Sequence, residues 1–183
     1  DAHHRPVIES VRSELTSVAR FFCPHPAEGG LPLTGTEPPI DACVRVKPDD
    51  PVIIMYTSGT TGKPKGAMLT HGNLWWNNTN AVFNFDVMQD DVTLCAAPFF
   101  HIGGLNVTTL VTLQKGGELV IQRGFDPGAA LMAIAEHRVP TMFGVPAMFQ
   151  FMAQHPDFAK TDLSSVRMLI SGGAPCPLPL LQT

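Results

Sequence analysis

The alternation of short apolar runs with helix-like segments between residues 92 and 171 constrains the fold of this chain more than any other feature. The runs that suit strands are residues 92–97, 118–122, 141–144 and 166–171. The segments that suit helices are residues 104–115, 127–137 and 146–154. Helices that return between consecutive short strands are typical of a largely parallel sheet. The sequence therefore predicts an α/β fold, with a largely parallel sheet flanked by helices.

The first half of the chain has a different pattern. Residues 6–15 suit a helix and residues 18–23 a short strand, whereas residues 24–51 are rich in proline and glycine and suit an irregular connection. The run "VIIMY", residues 52–56, is continuously apolar, which is typical of a strand buried on both faces. The remaining elements that we predict are a strand over residues 66–70 and a helix over residues 73–84.

Composition excludes several classes of protein. The chain has 183 residues, of which 44% are hydrophobic and 15% charged, as in a globular domain. Its net charge of −4 argues against nucleic acid or an anionic membrane as the partner. The four cysteines are scattered, without CxxC spacing, so we expect reduced cysteines in a cytoplasmic protein and no zinc site. The uncharged run of residues 92–114 contains Pro98, His101 and Asn106, and we interpret it as core elements and not as a transmembrane segment.

The stretch "YTSGTTGKPKG", residues 56–66, is too rich in glycine and hydroxyl groups for an ordinary strand or helix. Its backbone N–H groups, its hydroxyls, and the ammonium groups of Lys63 and Lys65 suit phosphate oxygens. It is not a Walker A loop, because the second glycine counted from Gly59 would fall on Pro64. We predict a mobile polyphosphate clamp between two strands, and a flexible surface hairpin is the alternative.

Two further loops follow predicted strands. Ligands of such sheets bind at the carboxyl ends of the strands, so residues 57–66, 98–104 and 171–175 are expected to form one crevice. "SGGAP" is also compatible with a plain strand-to-helix turn before a helix that starts at Pro177. His101 lies among apolar neighbours, where a lone histidine is more often a core residue than a catalyst. Residues 141–152 could line an apolar tunnel or belong to ordinary core.

Four motifs in order strongly resemble the signature of the adenylate-forming superfamily, in its acyl-CoA synthetase and fatty-acid–CoA ligase branch. They are "YTSGTTGKPKGAMLTHGNL", "APFFHIGGL", "RGFDP" and "LISGGAP". The resemblance covers most of the chain from residue 52 onward. It implies an internal piece of a large N-terminal domain, in which residues 1–51 end one subdomain and residues 52–183 carry the phosphate and adenine loops. It also implies that the C-terminal domain is absent.

The resemblance implies a role for residues in each loop. Those that would bind the β- and γ-phosphates of ATP are Thr57, Ser58, Gly59, Thr60, Thr61, Gly62 and Lys65. Lys65 would also act in catalysis, by stabilising charge on the leaving pyrophosphate. The backbone of Gly172, Gly173 and Ala174 would lie against the adenine ring. His101 and Gly103 would belong to the pocket for the carboxylic acid. No residue is assigned to a metal.

The implied activity is the ATP-dependent conversion of a carboxylic acid, which we expect to be a fatty acid, to an acyl-adenylate and then to acyl-CoA. Mg²⁺ should accompany the nucleotide, because bare polyphosphate is highly charged. Residues 97–105 contain no acid that could pair with an amino group, which favours a plain carboxylic acid over an amino acid. The alternatives are an aryl-acid–CoA ligase and a non-catalytic nucleotide-binding module.

Several parts that the resemblance leads us to expect are missing from the chain. It has no Tyr-Gly-x-Thr-Glu segment for the metal and no Thr-Gly-Asp segment for the ribose. We therefore predict that the chain alone is inactive, and that exposed sheet edges and core surface promote its self-association.

Overall fold

The computed structural model describes residues 44–59 and 62–182, together with residues 6, 10, 11, 13 and 14. The chain divides into two compact units, Asp1–Arg45 and Val46–Thr183. In the first unit, Pro6, Ser10 and Val11 are helical, within the helix predicted for residues 6–15. The strand predicted for residues 18–23 and most of the connection predicted for residues 24–51 lie outside the described residues.

The second unit opens with a hairpin and a helix. Strand β1 (Pro51–Thr57) pairs antiparallel with β2 (Lys65–Thr70), and helix α1 (His71–Asn84) follows β2 directly. The helix begins at this point because the side chains of Thr70 and Asn73 form a reciprocal capping box. The N–H of Asn73 donates to the Thr70 hydroxyl at 3.2 Å, and the N–H of Thr70 donates to Asn73 Oδ1 at 2.9 Å.

The prediction that β1 is buried on both faces is wrong. In this two-stranded sheet, Ile54 is 59% exposed and Tyr56 is 75% exposed. Only the other face, which carries Ile53 and Met55, is half-buried. An apolar run favours a strand by itself, but its burial depends on the layers that the rest of the molecule places on each face.

The remaining strands form a four-stranded parallel sheet in the order β4-β3-β5-β6. The strands are β3 (Val92–Cys95), β4 (Glu118–Ile121), β5 (Thr141–Gly144) and β6 (Met168–Ser171). The helices are α2 (Ile102–Asn106) and α3 (Thr109–Gln114) after β3, α4 (Pro127–Glu136) after β4, and α5 (Pro146–Ala153) after β5. This arrangement confirms the predicted fold class.

The two faces of the parallel sheet differ in chemistry because side chains alternate along each strand. On one face, Leu94 and Met142 belong to an apolar core with residues of α4 and α5. On the other face, Thr93 of β3 lies under α3, and its hydroxyl is 2.7 Å from that of Thr112. The sheet is therefore covered on both sides, and its ends are the places where loops can form a site.

The helix predicted for residues 104–115 is divided into α2 and α3. The break follows Asn106, where Val107, Thr108 and Thr109 form a β-branched run with low helix propensity. The Thr109 hydroxyl donates to the carbonyl oxygen of Gly104 at 2.7 Å and so satisfies that acceptor outside the regular helical pattern.

An ion pair spans the amino ends of the parallel strands. Asp91 directly precedes β3 and Arg167 directly precedes β6, with β5 between them. The guanidinium donates to both carboxylate oxygens of Asp91, at 3.0 and 2.7 Å, and to the carbonyl oxygen of Asp86 at 2.9 Å. The hydrogen bond to Asp91 raises the pKa of Arg167, more than burial lowers it.

One short helical turn precedes β6 and another follows it. Phe158–Lys160 and Leu178–Gln182 are 3₁₀ helices, and the second of these occupies the place where we predicted an α-helix from Pro177. Within the described residues, no helix has both the length and the apolar character needed to cross a membrane.

Candidate functional site

Two of the three predicted loops meet at one edge of the parallel sheet. The loop of residues 98–104 follows β3, and the loop of residues 171–175 begins at Ser171, the last residue of β6. Strand β5 lies between these two strands. Because the strands are parallel, their carboxyl ends lie at the same edge. The third loop, at residues 57–66, joins β1 to β2 and does not belong to this sheet. A crevice that includes all three loops therefore stays a prediction.

The hairpin loop turns at two glycines in the left-handed region. Gly59 has a φ of +64° and Gly62 a φ of +77°. A Cβ at Gly59 would also collide with the carbonyl oxygen of Lys63, so this position requires glycine for space as well as for conformation. The backbone at Gly59 and Gly62 therefore carries no side chain that could cover it. Thr60 and Thr61 lie outside the described residues.

The candidate catalytic lysine lies at the loop end of the hairpin. Lys65 is the first residue of β2 and pairs with Thr57, the last residue of β1. The Thr57 hydroxyl is 3.5 Å from the Lys65 carbonyl oxygen, and both side chains are exposed, as is Ser58. The strand pairing therefore brings hydroxyl groups and an ammonium group to the same end of the hairpin, as a polyphosphate clamp requires.

His101 is the N-cap of α2 and is exposed, so the alternative of a core histidine is wrong. Its Nδ1 accepts a hydrogen bond from the N–H of Gly103 at 3.0 Å. A neutral imidazole that accepts at Nδ1 carries its proton on Nε2. The cap therefore fixes the tautomer and leaves Nε2–H as a hydrogen-bond donor.

The glycines after His101 allow α2 to lie close to its surroundings. Gly103 and Gly104 are both buried. A Cβ at Gly104 would collide with the carbonyl oxygen of Pro98 and would lie 2.7 Å from that of Ala97. The first turn of α2 therefore packs against the chain that leaves β3, which fixes the position of His101.

The candidate adenine loop continues the sheet for one residue and then turns. The N–H of Gly172 donates to the carbonyl oxygen of Gly144 at 3.2 Å, next to the last pair of β5 and β6. Gly173 has a φ of +80°, and Gly173 and Ala174 are exposed. Small residues at an exposed sheet end leave main chain accessible to a flat ligand.

Sequence reasoning missed Phe143 as an individual residue. It lies near the end of β5, between the two loops, and its ring is close to both Gly103 and Gly172. The sequence predicts only that the broad run of residues 141–152 is a possible lining of an apolar tunnel. The position of a single ring depends on strand order, which the sequence alone does not determine.

A buried thiol, that of Cys95, lies near this edge. Burial raises the pKa of Cys95, and this effect exceeds the opposite one of its hydrogen bond with Thr109. The two atoms Sγ and Oγ1 are 3.2 Å apart. Burial and a raised pKa both disfavour the thiolate, so we assign Cys95 a packing role. The described residues also contain no cluster of three or more His, Cys, Asp or Glu that could hold a metal ion.

Known proteins resemble this chain over almost its whole length. The family profile described as AMP-binding enzyme matches residues 6–183. A feruloyl-CoA synthase from Amycolatopsis sp is 49% identical over 152 residues, which cover 83% of this chain and 30% of the relative. An indoleacetate–CoA ligase from Aromatoleum aromaticum is 36% identical over 181 residues, which cover 96% of this chain and 35% of the relative. The chain thus spans about a third of the length of these curated relatives.

The fold also matches a solved structure. The crystal structure of the N-terminal domain of FACL13 from Mycobacterium tuberculosis aligns with a TM-score of 0.82 and 30% identity, covering 98% of this chain and 44% of that one. The parallel sheet and the order of its loops are consistent with the family that the profile identifies. The chain therefore belongs to the family of AMP-binding enzymes and has the α/β fold of the N-terminal domain of adenylate-forming enzymes.

Proposed function

We propose that the protein activates an aryl carboxylic acid with ATP and transfers the acyl group to coenzyme A. The observation that carries this proposal is the pairing of two loops at the carboxyl edge of the sheet, one with His101 and one with Gly172–Ala174, in a chain of this family. The loop that we propose for the acid and the loop that we propose for the planar base are thereby neighbours, which supports a transfer of adenylate to an acid.

The aryl acid replaces our expectation of a fatty acid. The relatives with 49% and 36% identity are named for ferulate and indoleacetate, which are both aryl acids. Neither supports fatty-acid metabolism as the context of this chain. An amino-acid substrate is also disfavoured, because residues 97–105 offer no carboxylate for its ammonium group.

In the first half-reaction, a carboxylate oxygen of the acid attacks the α-phosphorus of ATP, and the bond to the β-phosphate oxygen breaks, releasing pyrophosphate. Residues of the hairpin loop would hold the β- and γ-phosphates, and Lys65 would stabilise the charge that grows on the leaving group. Gly172, Gly173 and Ala174 would lie against the adenine. His101 would donate Nε2–H to an oxygen of the acid.

In the second half-reaction, the thiolate of coenzyme A attacks the acyl carbonyl carbon, and AMP leaves with the electrons of the bond that breaks. Mg²⁺ would neutralise phosphate charge when bound. Since the described residues provide no carboxylate cluster for it, we assign the ion no protein ligand in this part of the chain.

The test is acid-dependent exchange between ATP and labelled pyrophosphate, measured on the protein expressed from its complete reading frame. Ferulate, 4-coumarate and indoleacetate should support exchange, and fatty acids of several lengths should support it weakly. Exchange with fatty acids alone would contradict the aryl assignment. Nucleotide binding without exchange for any acid would indicate a non-catalytic module.

A further inference from the structure

Phe143 lies between the two loops because of the strand order. It is the third residue of β5, and β5 has β3 on one side and β6 on the other. The loop with His101 leaves β3, and the loop with Gly172 leaves β6. Phe143 is 9% exposed, so its ring is enclosed by these neighbours and not by solvent.

The tip of the ring contacts both loops at glycines. A Cβ built on Gly103 would lie 2.9 Å from Cε1 and Cζ of Phe143. A Cβ built on Gly172 would lie 3.2 Å from Cε2 and 3.8 Å from Cζ of the same ring. Side chains at these two positions would therefore press on the ring from two loops, and the observed position of the ring depends on glycine at both.

Each glycine is joined to a candidate ligand-binding group. The N–H of Gly103 holds Nδ1 of His101, which we place at the acid. Gly172 begins the loop that we place at the adenine, and Gly173 and Ala174 follow it. A displacement of the ring toward either loop therefore changes the position of groups in that loop.

We propose that Phe143 is a positioning residue that couples two loops. These are the loop of residues 98–104, which we call the acid loop, and the loop of residues 171–175, which we call the nucleotide loop. This role rests on the proposed function, which assigns the two loops their ligands. A packed aromatic ring is rigid and has little free volume around it, so pressure on one side is transmitted to the other. Coupling between two binding sites is reciprocal, so bound acid and bound ATP must change each other's binding affinity by the same factor.

The experiment measures cross-effects in the acid-dependent exchange assay, on the protein from its complete reading frame. Gly172→Ala changes the nucleotide loop, and we expect it to raise the half-saturating concentration of the aryl acid about fivefold. Gly103→Ala changes the acid loop, and we expect a rise of similar size in the half-saturating concentration of ATP. In a Phe143→Leu background both cross-effects should disappear, because leucine lacks the ring tip. The direct effects of each glycine on its own ligand should persist.

Two variants serve as controls. Gly173→Ala disturbs the same nucleotide loop through its φ of +80°, but a Cβ there approaches Val145 at 3.4 Å and not Phe143. It should alter the ATP dependence and leave the acid dependence unchanged. Phe149→Leu removes the ring of another phenylalanine that is 9% exposed but belongs to the apolar core. It should change stability without changing either cross-effect.

The outcomes separate this role from the proposed function. If the unmodified protein shows no acid-dependent exchange, the proposed function fails and this role fails with it. In a second outcome, exchange is present while Gly172→Ala leaves the half-saturating concentration of the acid unchanged and Gly103→Ala leaves that of ATP unchanged. That result overturns the coupling role alone. Cross-effects that persist in Phe143→Leu overturn it as well. If Gly103→Ala does not fold by circular dichroism, Gly172→Ala with and without Phe143→Leu decides the question.

Discussion

At the scale of single residues, the role that we propose for Lys65 makes the most direct kinetic prediction. In Lys65→Ala, the rate of acid-dependent exchange at saturating ATP should fall about 10²-fold, because an ammonium group that meets growing charge acts mainly in the transition state. The half-saturating concentration of the acid should change little. Lys63→Ala is the comparison and should lower the rate less, since Lys63 is also exposed but lies outside the strand, before Pro64, and has no proposed catalytic role. An unchanged rate for Lys65→Ala would remove this residue from the mechanism.

The histidine loop allows a second test, in which the cap and the pocket role can be separated. His101→Ala should lose the cap of α2, at a cost of about 1 kcal/mol, and should change the preference among aryl acids. His101→Asn keeps a side-chain acceptor suited to the N-cap, so it should keep stability while it changes the same preference. The ATP dependence should stay nearly intact in both. Loss of ATP binding in a folded His101→Asn variant would contradict the placement of His101 at the acid.

The sequence predicted some single-residue features and not others. Positive φ at Gly59 and Gly62 was predictable, because a glycine-rich loop directly between two strands has few other conformations available. The cap formed by His101 and the wedged ring of Phe143 were not predictable. Both depend on where the chain goes after β3 and on which strand lies beside which.

At the scale of elements, the ion pair of Asp91 before β3 and Arg167 before β6 should stabilise the fold more than an exposed ion pair does. Arg167→Met would leave Asp91, whose side chain is 7% exposed, without its cation, and should lower the free energy of unfolding by about 3 kcal/mol. Arg138→Met is the control, because Arg138 and Asp162 are 3.9 Å apart with exposed side chains, and its cost should be about 0.5 kcal/mol. Urea denaturation measures both values. Equal costs would show that the pair does not hold the sheet.

The prediction of elements succeeded where local sequence decides the structure. The apolar runs gave the strands of the parallel sheet to within a few residues, and Asp126 with Pro127 marks the start of α4, where the carboxylate accepts from the N–H of Ala129 at 2.7 Å. The division of α2 from α3 arose from a side-chain hydrogen bond of Thr109, which competes with the helix. The exposure of β1 could not be predicted, because it depends on layers far away in the chain.

At the scale of the whole molecule, the outer face of the hairpin predicts self-association of the 183-residue chain. Ile54 and Met68 are cross-strand neighbours and are 59% and 66% exposed. Exposed apolar pairs on a two-stranded sheet favour association. Ile54→Lys with Met68→Lys should lower the sedimentation coefficient, whereas Leu113→Lys, at a residue of α3 that is 53% exposed, should not. A monomer in the unmodified chain at high concentration would contradict this prediction.

The fold class and the order of the loops followed from the alternation of strands and helices, since that pattern allows few topologies. The meeting of the His101 loop with the Gly172 loop followed from parallel strands, whose carboxyl ends share an edge. The relation of the hairpin loop to these two did not follow. It depends on how a separate antiparallel sheet packs, and no local pattern encodes that.

The ion pair of Arg167 and Asp91 lies at the amino edge of the parallel sheet, while the loops of residues 98–104 and 171–175 lie at its carboxyl edge. Mutational libraries confined to the carboxyl-edge loops therefore leave the contacts that join β3 to β6 intact. Because most substitutions consume part of a small stability margin, this separation enlarges the share of variants that still fold.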